Sequence, residues 1–265
     1  MKALQRLPSA AARSLQKLTQ KKYRRETGTY LLEGPHLLGE ALAAGAVVEQ
    51  LLVTEEAAGT PECRTLLAKA GSMKVPIFSV GRKDMDRLSD AVTSQGILAV
   101  ARDVRPHLAD FWAGRGSDSL IIALEHVADP GNVGTILRTC DWFGVDGVLL
   151  SSGCVELHNA KVIRATMGAL FHLPAFEELD LPAELYGAKK RGYRVVVTAL
   201  ANGTSFDRRT VDRKSVLVFG GEATGVSGHV LACADEVVTI PRFGGGESLN
   251  VGAACAAMLG SLRLP

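Results

Sequence analysis

Val218-Phe-Gly-Gly-Glu-Ala-Thr-Gly-Val-Ser227 and Ile240-Pro-Arg-Phe-Gly-Gly-Gly-Glu-Ser-Leu-Asn-Val251 repeat one pattern. An apolar or β-branched run breaks into a glycine cluster, and polar residues follow where a helix should begin. Glycine weakens the interior of regular elements, so such clusters mark places where the backbone turns sharply or approaches a ligand closely. Each cluster follows a segment that reads as a buried strand. Two in succession, at the carboxyl ends of strands, point to one ligand held largely by main-chain groups.

Outward from these clusters, the second half of the chain alternates apolar strands with helices. Its strands are predicted at 120–124, 147–150, 193–200, 216–219 and 236–240. Continuous apolar strands separated by helices indicate a parallel sheet covered on both faces. The first half also alternates, with strands at 30–32, 50–54, 77–80 and 96–101 and helices at 35–44, 61–70 and 82–88. It reads as a small α/β module. Between the halves, Arg102-Asp-Val-Arg-Pro-His and Gly114-Arg-Gly-Ser-Asp118 have loop chemistry flanking Phe111 and Trp112. The predicted organisation is a basic helix and small α/β domain over 1–101, a linker over 102–118, and a larger parallel-sheet domain over 119–265.

The 265 residues suffice for one large domain or two of ordinary size. No apolar run approaches the ~20 residues that span a bilayer, which argues against a membrane protein. The 5 cysteines are odd in number and scattered, and none is paired as CxxC. That argues against a zinc site or disulfide framework and for a reducing, cytoplasmic setting in which most are small core residues. A net charge of +2 hides an asymmetry. Lys2, Arg6, Arg13, Lys17, Lys21, Lys22, Arg24 and Arg25 all precede the first acidic residue, Glu26. A basic head of this kind favours phosphate-rich partners; its bland reading is a solvated helix face. It also loosely resembles an organelle transit peptide, although Lys17 to Arg25 leads straight into folded sequence. No secretory signal is expected, because the start lacks a continuous apolar core.

Three constellations carry the chemistry. In Asp129-Pro-Gly-Asn-Val-Gly-Thr-Ile-Leu-Arg138, Asp129 reads as a helix N-cap and Pro130 as the first helical residue. Val133, Ile136, Leu137, Cys140 and Phe143 collect on one buried arc, and Asn132, Thr135, Arg138 and Thr139 fall outside it. This is an amide near a helix N-terminus and a guanidinium farther along, suited to a phosphate-bearing substrate, or else an ordinary capped helix with a surface Arg. The second, Gly220-Gly-Glu-Ala-Thr-Gly225, places Glu222 between glycines; it is neither a Walker loop nor a GxGxxG fingerprint. In the third, Gly244-Gly-Gly-Glu-Ser-Leu-Asn250 opens a helix that is apolar all round and calls for cover on every side, for which a second subunit is an economical solution. Ser248 and Asn250 are the polar side chains at its first turn, and capping is the plain role for Ser248.

In this order, the three segments resemble the SpoU (TrmH-like) branch of the SPOUT RNA 2′-O-ribose methyltransferases. Asn132 and Arg138 match its opening motif, Glu222 its Gly-x-Glu-x-x-Gly motif, and Ile240, Pro241, Ser248, Leu249 and Asn250 its Ile-Pro…Ser-Leu-Asn motif. Lys161-Val-Ile-Arg-Ala-Thr-Met-Gly-Ala-Leu-Phe171 matches the family's middle helix. The match spans about residues 119–262. Tyr30-Leu-Leu-Glu-Gly-Pro-His-Leu-Leu-Gly-Glu-Ala-Leu42 more loosely resembles the small RNA-binding domain that many of these enzymes carry first. Gly221, where Asn, Ser or Ala is commoner, and His158-Asn159, replacing a commoner Ser-Pro, depart from the family pattern.

The resemblance implies an α/β fold whose C-terminal parallel-sheet SPOUT domain is closed by a deep trefoil knot, and a homodimer formed through that domain. It implies S-adenosylmethionine as methyl donor, without a metal. Main-chain groups at Gly220, Ile240 and Leu249 would hold the adenosine, with Ala199, Leu200, Gly221 and Gly225 nearby. Arg138 would engage the target phosphate and 2′-hydroxyl, Asn132 would orient Arg138 or the ribose, and Glu222, Ser248 and Asn250 would hold substrate, loops and the adjoining subunit. Lys21, Lys22, Arg24, Arg25 and Arg164 would contact RNA, with 23S-type ribosomal RNA favoured over transfer RNA. Two other readings are a catalytically silent RNA-binding assembly factor on the same fold and a Rossmann-type nucleotide enzyme; the latter lacks its fingerprint here.

Overall fold

The computed structural model describes residues 4–200 and 203–264, so Lys2 of the basic head lies outside the described residues. The chain forms two compact units. The first comprises the chain up to Arg105 together with His158–Phe171; the second comprises Pro106–Leu157 and the chain from His172 onward.

The first unit begins with β1 (Gln5–Arg6), α1 (Ser9–Gln16) and α2 (Lys21–Thr27). Then follow β2 (Thr29–Glu33), α3 (Pro35–Ala43), β3 (Val48–Val53), α4 (Glu55–Ala58) and α5 (Pro61–Ser72). It continues with β4 (Ile77–Ser79), α6 (Arg82–Leu88) and β5 (Ile97–Arg102). The sheet order is β1-β4-β3-β5-β2, with β5 antiparallel to both neighbours and the other pairs parallel. Successive strand residues point to opposite faces, so both faces must be covered when every residue is apolar. In β5, Ile97, Ala99 and Ala101 enter the core beneath α3 and α5, while Leu98 enters the core with Met85 and Leu88 of α6.

In the second unit, α7 (Leu108–Ala113) precedes β6 (Ser119–Glu125), α8 (Pro130–Trp142) and β7 (Gly147–Ser151). The helix α9 (Ala160–Thr166) belongs to the first unit, where Ile163 joins the core under α3 and α5. Back in the second unit come β8 (Ala175–Leu179), α10 (Leu181–Lys190), β9 (Arg194–Thr198) and β10 (Thr204–Ser205). The last elements are β11 (Lys214–Gly220), α11 (Gly228–Leu231), β12 (Glu236–Thr239) and α12 (Val251–Arg263). The seven strands run parallel in the order β10-β12-β9-β11-β6-β7-β8. All of β6 is buried. One sheet face packs on Phe111 and Trp112 of α7, Leu185 and Ala188 of α10, and Val230 of α11. On α8, Val133, Ile136, Leu137 and Cys140 are buried, as the arc predicts, and α8 packs against α12.

Two elements that bear on the fold differ from the sequence reading. Phe111 and Trp112 sit in a helix buried on the sheet, because short flanking loops of Gly, Pro and Asp mask a six-residue element. Strand β8 was not expected: it is a sheet edge, and Glu177 and Glu178 break its apolar run. In keeping with its apolar sequence all round, helix α12 buries Val251, Cys255, Met258 and Leu259 and leaves Ala253 and Ala257 exposed, so that within the chain it is covered on one side only. The cysteines are all free, and Cys63, Cys140 and Cys255 are buried. Burial holds the Cys140 and Cys154 thiols above their ordinary range, which suits packing rather than nucleophilic roles. Among the described residues no helix is long and apolar enough to cross a membrane.

Candidate active site

The carboxyl ends of β6, β9, β11 and β12 gather the loops that carry all three sequence constellations. Asp129 caps α8, its carboxylate accepting from the Asn132 N–H at 2.8 Å, with Pro130 in the first turn. With its N–H satisfied in this way, Asn132 has its side-chain amide free to reach outward. Its Nδ2 donates to the Glu222 carboxylate, and its Oδ1 accepts from Asn250 Nδ2 at 2.8 Å. Asn250 in turn caps α12, accepting from the Ala253 N–H at 3.1 Å. One amide thus ties the second and third constellations to the first. The order of donors and acceptors suits an amide at 132: a carboxylate there would face Glu222 with like charge and offer it no donor.

Arg138 is exposed, and among the described residues it has no hydrogen-bond or ion-pair partner. It lies six residues beyond Asn132, about 9 Å along the axis of α8. Ser248 is exposed and takes no part in capping; that role belongs to Asn250. Glu222 and Leu249 are exposed and Ile240 is half-buried.

The glycines divide into two kinds. A Cβ at Gly220 would overlap the main chain of Gly225, and one at Gly221 would overlap the His126 carbonyl. Gly225 is left-handed at φ +63° and closes the loop by donating to the Gly221 carbonyl at 2.8 Å. These glycines are therefore required by the chain's own approach to itself, a use of glycine indistinguishable in sequence from approach to a ligand. By contrast, a Cβ at Gly244, Gly245 or Gly246 would meet nothing. That loop is exposed throughout, with Phe243 96% exposed and Arg242 donating to the Gly246 carbonyl at 3.0 Å.

Two further residues hold this edge together. Glu125, the last residue of β6, is buried, and its carboxylate accepts from both the N–H and the hydroxyl of Ser227, at 2.7 and 2.6 Å. Its only signal in the sequence is a carboxylate directly after the apolar run 120–124, and the sequence reading did not single it out. At the end of β12, Thr239 Oγ1 is buried and lacks a hydrogen-bond partner among the described residues. Leu200 and Leu249 are exposed at the same edge of the sheet. Peptide groups, an unpaired hydroxyl and exposed apolar side chains make a donor set suited to an adenosyl group, and among the described residues no cluster of metal-ligand side chains is present.

The basic residues lie in the first unit. Lys21, Lys22 and Arg25 project from α2 into solvent. Arg24 is buried and donates to the Leu18 carbonyl at 2.7 Å, which gives it a structural task. Arg164 of α9 pairs with Asp90 at 2.7 Å.

A family model described as the SpoU rRNA Methylase family matches residues 119–260, and one described as an MRM3-like substrate binding domain matches 10–99. The 23S rRNA (guanosine(2553)-2′-O)-methyltransferase RlmP of Bacillus subtilis is 30% identical over 263 residues, covering 99% of this chain and 100% of that protein. The tRNA/rRNA methyltransferase slr1673 of Synechocystis is 31% identical over 253 residues, covering 95% of this chain and 89% of its own. The crystal structure of an AdoMet-bound rRNA methyltransferase from Sinorhizobium meliloti superposes with a TM-score of 0.82 at 28% identity, covering 98% of this chain and 96% of that one. With more than half its length matched by the family model and a full-length relative at 30% identity, this chain belongs to the SpoU rRNA methylase family.

Proposed function

We propose that this SpoU-family RNA methyltransferase transfers the methyl group of S-adenosylmethionine to a ribose 2′-hydroxyl of ribosomal RNA, acting as a homodimer in the cytoplasm. The single observation that carries the reading is the hydrogen-bonded chain Glu222–Asn132–Asn250, with an Arg138 farther along the same helix that has no partner among the described residues. Such a chain assembles three motifs, distant in sequence, at the edge of a parallel sheet where ligands bind. The name of the Bacillus subtilis relative, which matches end to end, supports ribosomal RNA and the 2′-oxygen. Transfer RNA is the second reading, supported by the broader name of the Synechocystis relative.

S-adenosylmethionine, when bound, supplies a sulfonium methyl that leaves a neutral thioether behind. The groups that would hold it are the main-chain atoms of Gly220, Ile240 and Leu249, with Ala199, Leu200, Gly221 and Gly225 shaping the edge and Thr239 offering a hydroxyl. A ribose hydroxyl is a poor nucleophile until its proton is lost, so the protein's contribution is orientation and help with one proton. Arg138 engages the phosphate and the attacking oxygen; as a guanidinium that stays protonated, it acts by positioning and electrostatic activation while the hydroxyl proton passes to water, and acceptance of that proton by Arg138 itself is the alternative. Asn132 fixes the loops of Glu222 and Asn250, and Ser248 faces the substrate. A second copy of the chain would cover the exposed Ala253 and Ala257 of α12, next to the family's expected knot. Lys21, Lys22 and Arg25 supply phosphate contacts, with Arg164 of α9 beside them.

The test is Arg138→Ala in the purified full-length enzyme, with radiolabelled methyl donor and ribosomal RNA transcripts. Donor affinity is expected to be unchanged and turnover nearly abolished. A 2′-O-methyl blocks alkaline cleavage of its own phosphodiester, so mapping cleavage-resistant positions in total RNA with and without the gene identifies the nucleotide. Label found on a base, or retained turnover in Arg138→Ala, would overturn the reading.

A further inference from the structure

The Glu125 carboxylate is only 4% exposed, and no Lys, Arg or His pairs with it among the described residues. A buried carboxylate without a cation is unfavourable unless strong hydrogen bonds compensate it, and an apolar residue would end this strand at less cost. What Glu125 touches gives the reason for its presence. Its main-chain carbonyl accepts from the Gly221 N–H at 2.8 Å. Its two carboxylate oxygens accept from the Ser227 N–H at 2.7 Å and the Ser227 hydroxyl at 2.6 Å. Gly221 and Ser227 are the two ends of the loop that carries Glu222. One residue therefore grips both ends of that loop, and Gly225 closes it internally through the Gly221 carbonyl. On its other side the loop is held by Asn132 through Glu222, and Val226 packs against the core. Ser227 also accepts from the Val230 N–H at 3.3 Å, so its hydroxyl orientation is determined: it must donate to Glu125.

We propose that Glu125 is a positioning residue for methyl transfer, locking the Gly221–Ser227 loop so that Glu222 meets Asn132 and the Gly220 main chain faces the methyl donor. The inference rests on the function proposed above for that loop. It concerns a buried residue whose carboxylate is taken up by Ser227. Its loss should act mainly through the donor site, because the loop it holds borders that site, and much less through RNA binding.

The experiment uses the full-length protein and three variants, Glu125→Leu, Glu125→Gln and Ser227→Ala, each checked for native far-ultraviolet circular dichroism. Calorimetry measures S-adenosylmethionine affinity, and steady-state kinetics separate kcat from the KM of donor and of RNA. Misplacing a positioning loop by about 1 Å costs about 100-fold in kcat/KM for the donor, which is the loss expected for folded Glu125→Leu. The KM for RNA should stay within about threefold, since phosphate contacts made elsewhere dominate it. Glu125→Gln keeps one acceptor for the Ser227 N–H and should recover most of the loss; Ser227→Ala removes one of two bonds and should fall between. Wild-type donor affinity and turnover in folded Glu125→Leu would overturn the proposal, as would an equal loss in Glu125→Gln and Glu125→Leu. If Glu125→Leu does not fold, unchanged kinetics in Ser227→Ala would overturn it. A wild-type chain that neither binds the donor nor methylates RNA would instead sink the functional reading, and this inference with it.

Discussion

At the scale of single residues, the loop joining β6 to α8 stores strain. His126 sits at φ +54°, a region that costs an L-residue about 1–2 kcal/mol and that glycine occupies freely. Its carbonyl lies where a side chain at 221 would go, so this backbone conformation and Gly221 require each other. His126→Gly is expected to raise stability by about 1 kcal/mol, read from the urea midpoint at constant slope. Arg138 presents the opposite case. Exposed and without a partner among the described residues, it contributes little to the fold, and Arg138→Ala should change stability by less than about 0.5 kcal/mol while turnover is lost. An exposed arginine that matters for activity but not for stability is legible as a motif in sequence; its isolation is visible only in the folded chain. Asn132 was also legible as a polar residue off the buried arc. That its amide faces Glu222 on one side and Asn250 on the other was not, because both partners lie far along the chain.

Among the elements, capping explains why α8 and α12 start where they do. Asn250 caps α12 and also donates to Asn132, so its loss removes two interactions. A double-mutant cycle with Asn132→Ala and Asn250→Ala should give a coupling of about 0.5–3 kcal/mol in urea unfolding; strict additivity would show that the contact carries no stability. Helix α7 illustrates an element hidden by its flanks. Phe111 packs at 5.0 Å centroid distance on Phe176 and 5.4 Å on Trp112. Phe111→Ala should therefore cost about 3–5 kcal/mol, a value no linker residue would show. At the start of β9, burial works to raise the Asp235 carboxyl, but the Lys189 ammonium at 2.7 Å and the Val195 N–H at 2.9 Å outweigh it and hold it below the ordinary value of 3.8. A carboxyl lowered in the folded state stabilises the protein above its unfolded pKa, and that stability is lost as pH falls through the folded one. Asp235→Asn should flatten the acid limb of the stability profile below about pH 4 and leave its neutral region sloping as before.

For the molecule as a whole, the chain leaves the first unit at Arg105, returns for His158–Phe171 and leaves again. Ile163, Leu170 and Phe171 complete the first unit's core, so a fragment ending at Arg105 should unfold with less cooperativity than one in which 158–171 is restored as a fused segment, as followed by circular dichroism. RNA affinity should fall steeply with added salt, the logarithmic slope being about 0.7–0.9 per neutralised phosphate. The sequence by itself determined the parallel α/β class of the second half, the capped start of α8 and the three motifs, because these rest on local periodicity, capping chemistry and the short-range use of glycine. Only the tertiary structure decided which glycines the chain's own packing requires, that Arg24 is buried while Lys21, Lys22 and Arg25 are exposed, that α9 belongs with the first unit, and that Glu125 grips both ends of the Glu222 loop. Those facts depend largely on contacts between residues 90 to more than 130 positions apart, and periodicity along the chain carries no information about which distant groups will meet.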